Sequence, residues 1–191
     1  MQFKGIQVPF ELVPFSEMNK KQAKQYFEWF IDTIDERLDI LQEYITSTGG
    51  DFVLDKTPES LIPLWEWFVD KIEMIPKSDE EINNELEALP ERFRGVIKVD
   101  DSKFSDETFL LSYNISVYFG EVLIKNHFQT SWGYLTSPKK LHGVNAPQIM
   151  GFAGGISDYA YGRIEVCMRK TLREKDKMKL YNTYKICESM L

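Results

Sequence analysis

Six carboxylates recur at helical spacing in the N-terminal part of the chain. Wound at 100° per residue on one helix, they fall within a single arc of roughly 100°. We call this set the acidic stripe; it comprises Glu28, Asp32, Asp35, Glu36, Asp39 and Glu43. Like charges three and four residues apart each cost roughly 0.2–0.5 kcal/mol on an exposed helix, so the stripe favours binding of a cationic partner. A solvated acidic face without a partner explains the same pattern.

Carboxylates on facing helices also hold magnesium in some all-helical nucleotide pyrophosphohydrolases. The pair Glu36 and Asp39 and the pair Asp70 and Glu73 loosely match that arrangement. Magnesium catalysis requires carboxylates that converge in a sheltered cleft beside the substrate phosphates. These four residues lie opposite the apolar positions of their predicted helices, which argues against convergence. A small magnesium-dependent phosphohydrolase is therefore the alternative to a binding protein.

Glu121 is an acidic residue within a long apolar segment that is predicted to form a central, buried helix. A buried carboxylate must be paired or protonated. We expect a structural ion pair or hydrogen bond with a basic side chain such as Arg163 or Arg169, or with backbone amides of the strand region. The alternative is a general acid or base in a pocket. The neighbouring Gly120 costs about 1 kcal/mol relative to alanine in a helix interior, which predicts that another backbone or an aromatic ring passes close by.

No other residues form a recognisable catalytic, cofactor or metal motif. His127 and His142 have no histidine or cysteine at ligand spacing, and residues 151–155 lack the lysine and spacing of a phosphate-binding loop. The sequence therefore predicts no cofactor, no metal site and no catalytic residue. A basic run near the C-terminus is interpreted as a solvated helix face or a partner of the acidic half, rather than a nucleic-acid site. It comprises Arg163, Arg169, Lys170, Arg173, Lys175, Lys177 and Lys179.

Composition narrows the class of protein. The chain has 191 residues, 43% of them hydrophobic and 14% aromatic, enough for one domain with a sizeable core. The net charge of -7 is uneven, since residues 1–100 hold 11 basic and 21 acidic side chains, whereas residues 101–191 hold 12 and 9. An acidic total disfavours binding to nucleic acids and anionic membranes. A basic protein partner is the simpler expectation.

Apolar runs and cysteines in the sequence indicate where in the cell the protein is located. The longest uncharged apolar stretch, residues 109–120, is shorter than the 20 or so residues that cross a bilayer. The N-terminal residues show no secretory signal, because prolines and a glutamate interrupt them. We therefore expect a cytoplasmic protein. Cys167 and Cys187 are expected to be reduced thiols in the core.

The patterns predict an α+β fold that is mainly α-helical, with five to six helices around a central buried helix and a small antiparallel sheet. We expect a single domain over residues 1–191, made of an extended arm (1–16), an acidic helical half (19–104) and a half with the central helix, sheet and closing helices (105–191). The prolines of residues 1–16 suit the extended arm.

Capping signals place the individual helices. Asn19 and Gln22 fit a capping box that begins a first helix running to Gly49, and Thr57 and Pro58 begin a second. A short acidic helix is expected over 79–89, and a brief strand or loop over 95–99. Ser105 begins the central helix, which runs to about residue 127. Strands follow at 130–136 and 148–152, and helices at 157–173 and 176–190.

Residues 115–135, ISVYFGEVLIKNHFQTSWGYL, followed by Pro147, resemble a pattern in small uncharacterised intracellular proteins of Gram-positive bacteria. Its elements are a central helix with Gly-Glu, a strand with tryptophan, a proline-led strand and closing helices. The resemblance implies an accessory or immunity-like role without an established reaction, and it transfers no catalytic residue. Together with the stripe, it predicts a non-catalytic protein that binds a basic protein, with toxin neutralisation as one form of that role. The partner and the oligomeric state remain open.

Overall fold

The computed structural model describes residues 3–191 of the chain. In this part the chain forms seven α-helices and two two-stranded antiparallel sheets, which confirms the mainly α α+β fold. The helices are α1 (Lys20–Asp32), α2 (Ile34–Ser47), α3 (Leu61–Val69), α4 (Asp79–Ala88), α5 (Asp106–Asn126), α6 (Ala160–Glu174) and α7 (Lys179–Glu188). The strands are β1 (Met74–Pro76), β2 (Ser102–Phe104), β3 (Ser131–Tyr134) and β4 (Pro147–Met150).

The prediction of one continuous first helix is wrong, because Thr33 divides it into α1 and α2. The predicted capping box is present, and the Asn19 side chain accepts a hydrogen bond from the backbone N–H of Gln22. The Thr33 hydroxyl donates to the carbonyl of Trp29 at 2.8 Å. A threonine that bonds back to the preceding turn bends helices. The division explains why there are seven helices in the described residues rather than five or six.

The second helix starts later than predicted. Thr57 does not cap it, since its hydroxyl donates to Asp55 Oδ1 at 2.7 Å, and Pro58–Ser60 forms a short 3-10 turn instead. α3 then begins at Leu61. The apolar pattern of this segment predicts that Leu61, Leu64, Trp65, Phe68 and Ile72 face inward; the first four are buried, whereas Ile72 lies beyond the end of α3 and is half-buried.

α5 is the central helix, as predicted. Ser105 caps it by accepting a hydrogen bond from the N–H of Thr108. The helix contacts α2, α6, α7 and β3. Its buried residues, which include Leu111, Val117 and Leu123, face several sides, because an apolar helix at the centre of a fold meets neighbours all round.

The predicted small sheet is formed by β3 and β4, with Ser131 opposite Met150 and Tyr134 opposite Pro147. The pairing of β1 with β2 was not predicted, because strands of three residues are too short to show a periodic pattern. The segment 95–99 contains no strand.

Buried apolar side chains from both halves of the chain form one cluster, which includes Phe3, Leu41, Phe119 and Tyr184. The first two residues of the predicted arm, Met1 and Gln2, lie outside the described residues. The next twelve form neither helix nor strand. Both cysteines are buried free thiols, as expected. None of the helices within residues 3–191 is long and apolar enough to cross a lipid bilayer.

Candidate functional site

The acidic stripe lies on the surface of α1 and α2. All six side chains are exposed: Glu28, Asp32, Asp35, Glu36, Asp39 and Glu43. Among the residues that the structure describes, only Glu28 has a cationic neighbour, Lys24, whose Nζ lies 3.6 Å from its carboxylate. Both side chains of that pair are more than 60% exposed, so the pair contributes little. Five stripe carboxylates therefore carry charge that the described part of the chain does not neutralise.

The basic run near the C-terminus behaves differently, because four of its members are paired within the protein. The pairs are Arg163 with Asp158, Arg169 with Glu165 and Asp100, Lys177 with Glu66, and Lys179 with Glu174. Two of the pairs, Arg169 with Asp100 and Lys177 with Glu66, join the basic half to the acidic half. Four members of the basic run are thus paired with acidic side chains of the protein, whereas the stripe faces solvent.

A groove of about 510 Å³ runs between the N-terminal arm and α2, next to the stripe. Glu36 and Glu43 of the stripe stand along it two helical turns apart, and Ile40 and Tyr44 supply its apolar floor. The opposite wall is formed by residues 3–7 of the arm. We call this feature the arm groove. It places apolar surface between carboxylates, an arrangement that suits a partner with both basic and apolar side chains.

Glu107, in the first turn of α5, fixes the arm that forms this wall. Its Oε1 accepts hydrogen bonds from the Phe3 backbone N–H at 2.8 Å and from the Tyr44 hydroxyl at 2.7 Å. The Phe3 ring also meets the Tyr44 ring edge-on, with 5.0 Å between centroids. The two hydrogen bonds lower the pKa of Glu107, because they favour the ionised carboxylate. Burial and the bond to Glu107 raise the pKa of Tyr44 to about 12.

Glu121 lies on α5, and 16% of its side chain is exposed. It is paired with a basic side chain, as expected, but the partner is Lys56, whose Nζ lies 2.8 Å from Oε2, and neither Arg163 nor Arg169. Its other oxygen, Oε1, accepts a hydrogen bond from Trp132 Nε1 at 2.9 Å. Both oxygens are engaged, so the contacts account for Glu121 as a structural residue that joins α5, β3 and the loop before α3.

The loop that brings Lys56 to Glu121 is itself tied to α5. Lys56 has a left-handed backbone conformation with φ of 60°, which is uncommon for a residue with a side chain. Its N–H donates to the Tyr118 hydroxyl at 2.9 Å, and its carbonyl accepts from Asn126 Nδ2 at 3.0 Å. Sequence spacing offers no signal for the pairing of Lys56 with Glu121, because the two residues are 65 positions apart.

Gly120 meets the indole of Trp132, as its position beside Glu121 suggested. A β-carbon at this position would lie only 2.2 Å from Cζ2 of that ring. The prediction of a close aromatic ring is therefore confirmed, and glycine is needed here for space. The contact belongs to the packing of β3 on α5, and this packing explains Gly120 without a catalytic role.

The magnesium alternative gains no support from the geometry. Glu36, Asp39, Asp70 and Glu73 are all exposed; the first two lie on α2, whereas Asp70 and Glu73 follow the end of α3. Within residues 3–191, no group of three or more histidine, cysteine, aspartate or glutamate side chains is arranged to hold a metal ion. The carboxylates that this hydrolase would need are thus not brought together.

Sequence analysis missed the residues that build the arm groove. Ile40 and Tyr44 occupy positions on α2 beside the stripe, and that spacing was a usable signal for an apolar strip next to the charges. The docking of Phe3 on Glu107 had no signal, because it joins positions 104 residues apart.

No protein-family model matches the chain, and no curated protein or solved structure shows significant similarity to it. The resemblance of residues 115–135 therefore assigns no family. The elements that it names do occur: Gly120 and Glu121 lie on the central helix, Trp132 on β3, and Pro147 begins β4. These elements position the packing contact of Trp132 with Gly120 and Glu121.

Proposed function

We propose that this protein is a non-catalytic cytoplasmic binding protein whose partner is a basic protein, engaged through the acidic stripe and the arm groove. One observation carries the proposal: five exposed stripe carboxylates have no cationic neighbour among the described residues, and two of them, Glu36 and Glu43, line an apolar groove. Immunity-like neutralisation of a basic toxin is the form of this role that the resemblance of residues 115–135 implies.

The arrangement supplies the two parts that protein interfaces combine. Stable interfaces have an apolar centre surrounded by a polar rim. Ile40 and Tyr44 would provide the centre, and Glu36 and Glu43 would provide part of the rim. The uncompensated carboxylates would also attract a basic protein from a distance and raise the association rate. Attraction of this kind weakens with salt, since the Debye length falls from about 30 Å at 0.01 M to about 3 Å at 1 M ionic strength.

The decisive experiment reverses charge in the stripe without changing the core. A triple variant carries Asp32→Lys, Asp35→Lys and Asp39→Lys, all at exposed positions. Binding partners are first captured from the native cell extract with wild-type protein, and affinities for the purified partner are then measured at low and high salt. The variant should fold with unchanged or slightly higher stability, because like-charge repulsion is relieved. It should also lose binding at low salt.

A matched control distinguishes the effect of the position of the charges from the effect of the total net charge. A second triple variant carries Asp51→Lys, Asp70→Lys and Glu73→Lys, three exposed carboxylates outside the stripe. Its net charge equals that of the first variant, so it should retain binding if the stripe is the docking surface. Equal loss in both variants, or binding insensitive to salt and to both variants, would overturn the proposal. Magnesium-dependent nucleotide turnover that is abolished by Glu36→Gln or Asp39→Asn would replace it with the phosphohydrolase.

A further inference from the structure

Arg37 is a buried cation that has no counter-ion among residues 3–191. Only 3% of this residue is exposed, and it lies on the inward face of α2 near Leu38 and Leu41. No acidic side chain of residues 3–191 forms an ion pair with it. Its one hydrogen bond to the described residues runs from Nε to the Thr33 hydroxyl at 3.2 Å. Buried charges in proteins are ordinarily paired, so this guanidinium calls for an anion from outside the chain.

Aromatic rings hold the guanidinium in place. Its central carbon lies 4.7 Å from the centroid of the Trp29 ring and 5.4 Å from that of Tyr113. Stacking of this kind stabilises a cation through the ring faces while leaving its N–H edges available. Thr33 fixes Nε at the point where the first helix is divided. The terminal nitrogens, with four N–H donors, are thereby left for another acceptor.

Arg37 is one of the residues that line a partly open cleft of about 340 Å³. Its walls are mostly apolar and come from several elements: Ile6 and Val8 of the arm, Trp29 of α1, Leu110 and Tyr113 of α5, and Tyr161 of α6. This volume lies in the range of small-molecule sites, which bury an apolar ligand body and fix it with a few polar groups. We call it the Arg37 pocket.

The phenols in the pocket add a further donor. The hydroxyls of Tyr26 and Tyr113 lie 2.9 Å apart and share one hydrogen bond, which leaves one of their two O–H groups for a further acceptor. Burial raises the pKa of both tyrosines, so both hydroxyls stay protonated at neutral pH. A protonated phenol and a guanidinium both donate hydrogen bonds, and they therefore favour a ligand group that only accepts.

We propose that the Arg37 pocket binds a small monocarboxylate with a flat apolar body. The carboxylate would accept hydrogen bonds from the terminal nitrogens of Arg37, and its single negative charge balances the single positive charge of the guanidinium. A phosphate dianion would leave excess negative charge in an apolar cavity. The aromatic walls match a planar body by stacking. No stripe residue lines the pocket, although the pocket adjoins the arm groove, because Gly5 and Ile6 line both.

The first test compares two probes that differ only in charge. 3-Phenylpropionate is titrated against the full-length protein beside its neutral amide, 3-phenylpropanamide, and inorganic phosphate. Binding is followed by calorimetry and by the NMR signals of the Trp29 indole N–H and the Arg37 Nε–H. The carboxylate should bind with a Kd of about 1 mM or tighter and shift both signals, whereas the amide should bind at least about tenfold more weakly. Equal binding of acid and amide, no saturable binding of the acid, or tighter binding of phosphate would overturn the proposal.

The second test asks whether Arg37 serves the ligand or the fold. Arg37→Met removes an unpaired buried charge and keeps an unbranched chain, so the ligand-free variant should melt at the same or a higher temperature. It should bind 3-phenylpropionate at least about tenfold more weakly, and Arg37→Lys, which lacks the planar fork, should also weaken binding. Arg92→Met, at an exposed arginine, is the matched control and should bind normally. Retained binding in Arg37→Met would overturn the proposal, and if that variant does not fold, Arg37→Lys and the acid–amide comparison decide.

Discussion

Replacement of Gly120 by alanine tests how tightly β3 packs on the central helix. Alanine favours a helix interior over glycine by about 1 kcal/mol, so propensity alone predicts a more stable protein. The new β-carbon, however, would lie 2.2 Å from Cζ2 and 2.3 Å from Cη2 of Trp132. Such separations are far below ordinary contact, and the indole ring has to move.

Two contacts oppose that movement. Trp132 Nε1 donates to Glu121 at 2.9 Å, and its ring meets Phe30 edge-on with 5.0 Å between centroids. Overpacking a core costs about 1–3 kcal/mol, and loss of a hydrogen bond to a charged group costs about 1.5–3 kcal/mol. After the helix-propensity gain of about 1 kcal/mol is subtracted from the sum of the two costs, Gly120→Ala should lower the free energy of unfolding by about 1.5–5 kcal/mol.

Urea unfolding followed by circular dichroism measures this loss. Gly162→Ala in α6 is the matched control, because its β-carbon would meet Tyr159 Cδ1 at 2.9 Å and His142 Nε2 at 3.0 Å. His142 is exposed and Tyr159 is half-buried, so both rings have to shift by only a few tenths of an ångström; the helix-propensity gain of about 1 kcal/mol offsets that cost, and the change should stay within about 0.5 kcal/mol. Combining Gly120→Ala with Trp132→Phe should reveal a coupling of about 1 kcal/mol or more. A Gly120→Ala protein as stable as wild type would refute the reasoning.

Two further predictions concern titrating groups. The pKa of Glu107 is lowered in the folded protein by the Phe3 N–H and the Tyr44 hydroxyl. The stability that Glu107 contributes is therefore present above the ordinary carboxyl pKa and is lost as pH falls through the lowered value. Glu107→Gln should make the urea midpoint less pH-dependent between about pH 6 and pH 3. An unchanged dependence of the urea midpoint on pH would contradict this. Burial raises the pKa of Cys167, and that of Cys187 to about 12, so iodoacetamide at about pH 8 should modify neither thiol until the protein is denatured, as mass spectrometry can show.

The fold was predictable where local chemistry decides it. Asn19 with Gln22 and Ser105 with Thr108 mark helix starts, because capping side chains satisfy backbone N–H groups within the same few residues. The division at Thr33 was missed, since a threonine bends a helix only when its hydroxyl bonds back to the preceding turn. The pairing of β1 with β2 was missed for the same kind of reason: three-residue strands carry almost no pattern.

Contacts between distant segments were the part of the candidate site that could not be predicted. The acidic stripe is local, and helical spacing was enough to place all of its members on the surface. The partner of Glu121 is not local, because Lys56 reaches it from a loop whose left-handed backbone is held by Tyr118 and Asn126. Charge alone therefore predicted the right kind of partner and the wrong residue.

Arg37 shows which kind of signal a sequence does contain for a pocket of this type. It lies among Ile34, Leu38 and Leu41, residues that face the core at spacings of three and four. An arginine on such a face has three outcomes: an ion pair, an escape of its head group to solvent, or a cavity that admits a ligand. The 3% exposure of Arg37 limits the second outcome to water that enters the adjoining pocket, and the lack of an ion pair with residues 3–191 removes the first for the described chain. The pocket favours the third outcome, so the residue that interrupts an apolar pattern is the one that marks the proposed ligand site.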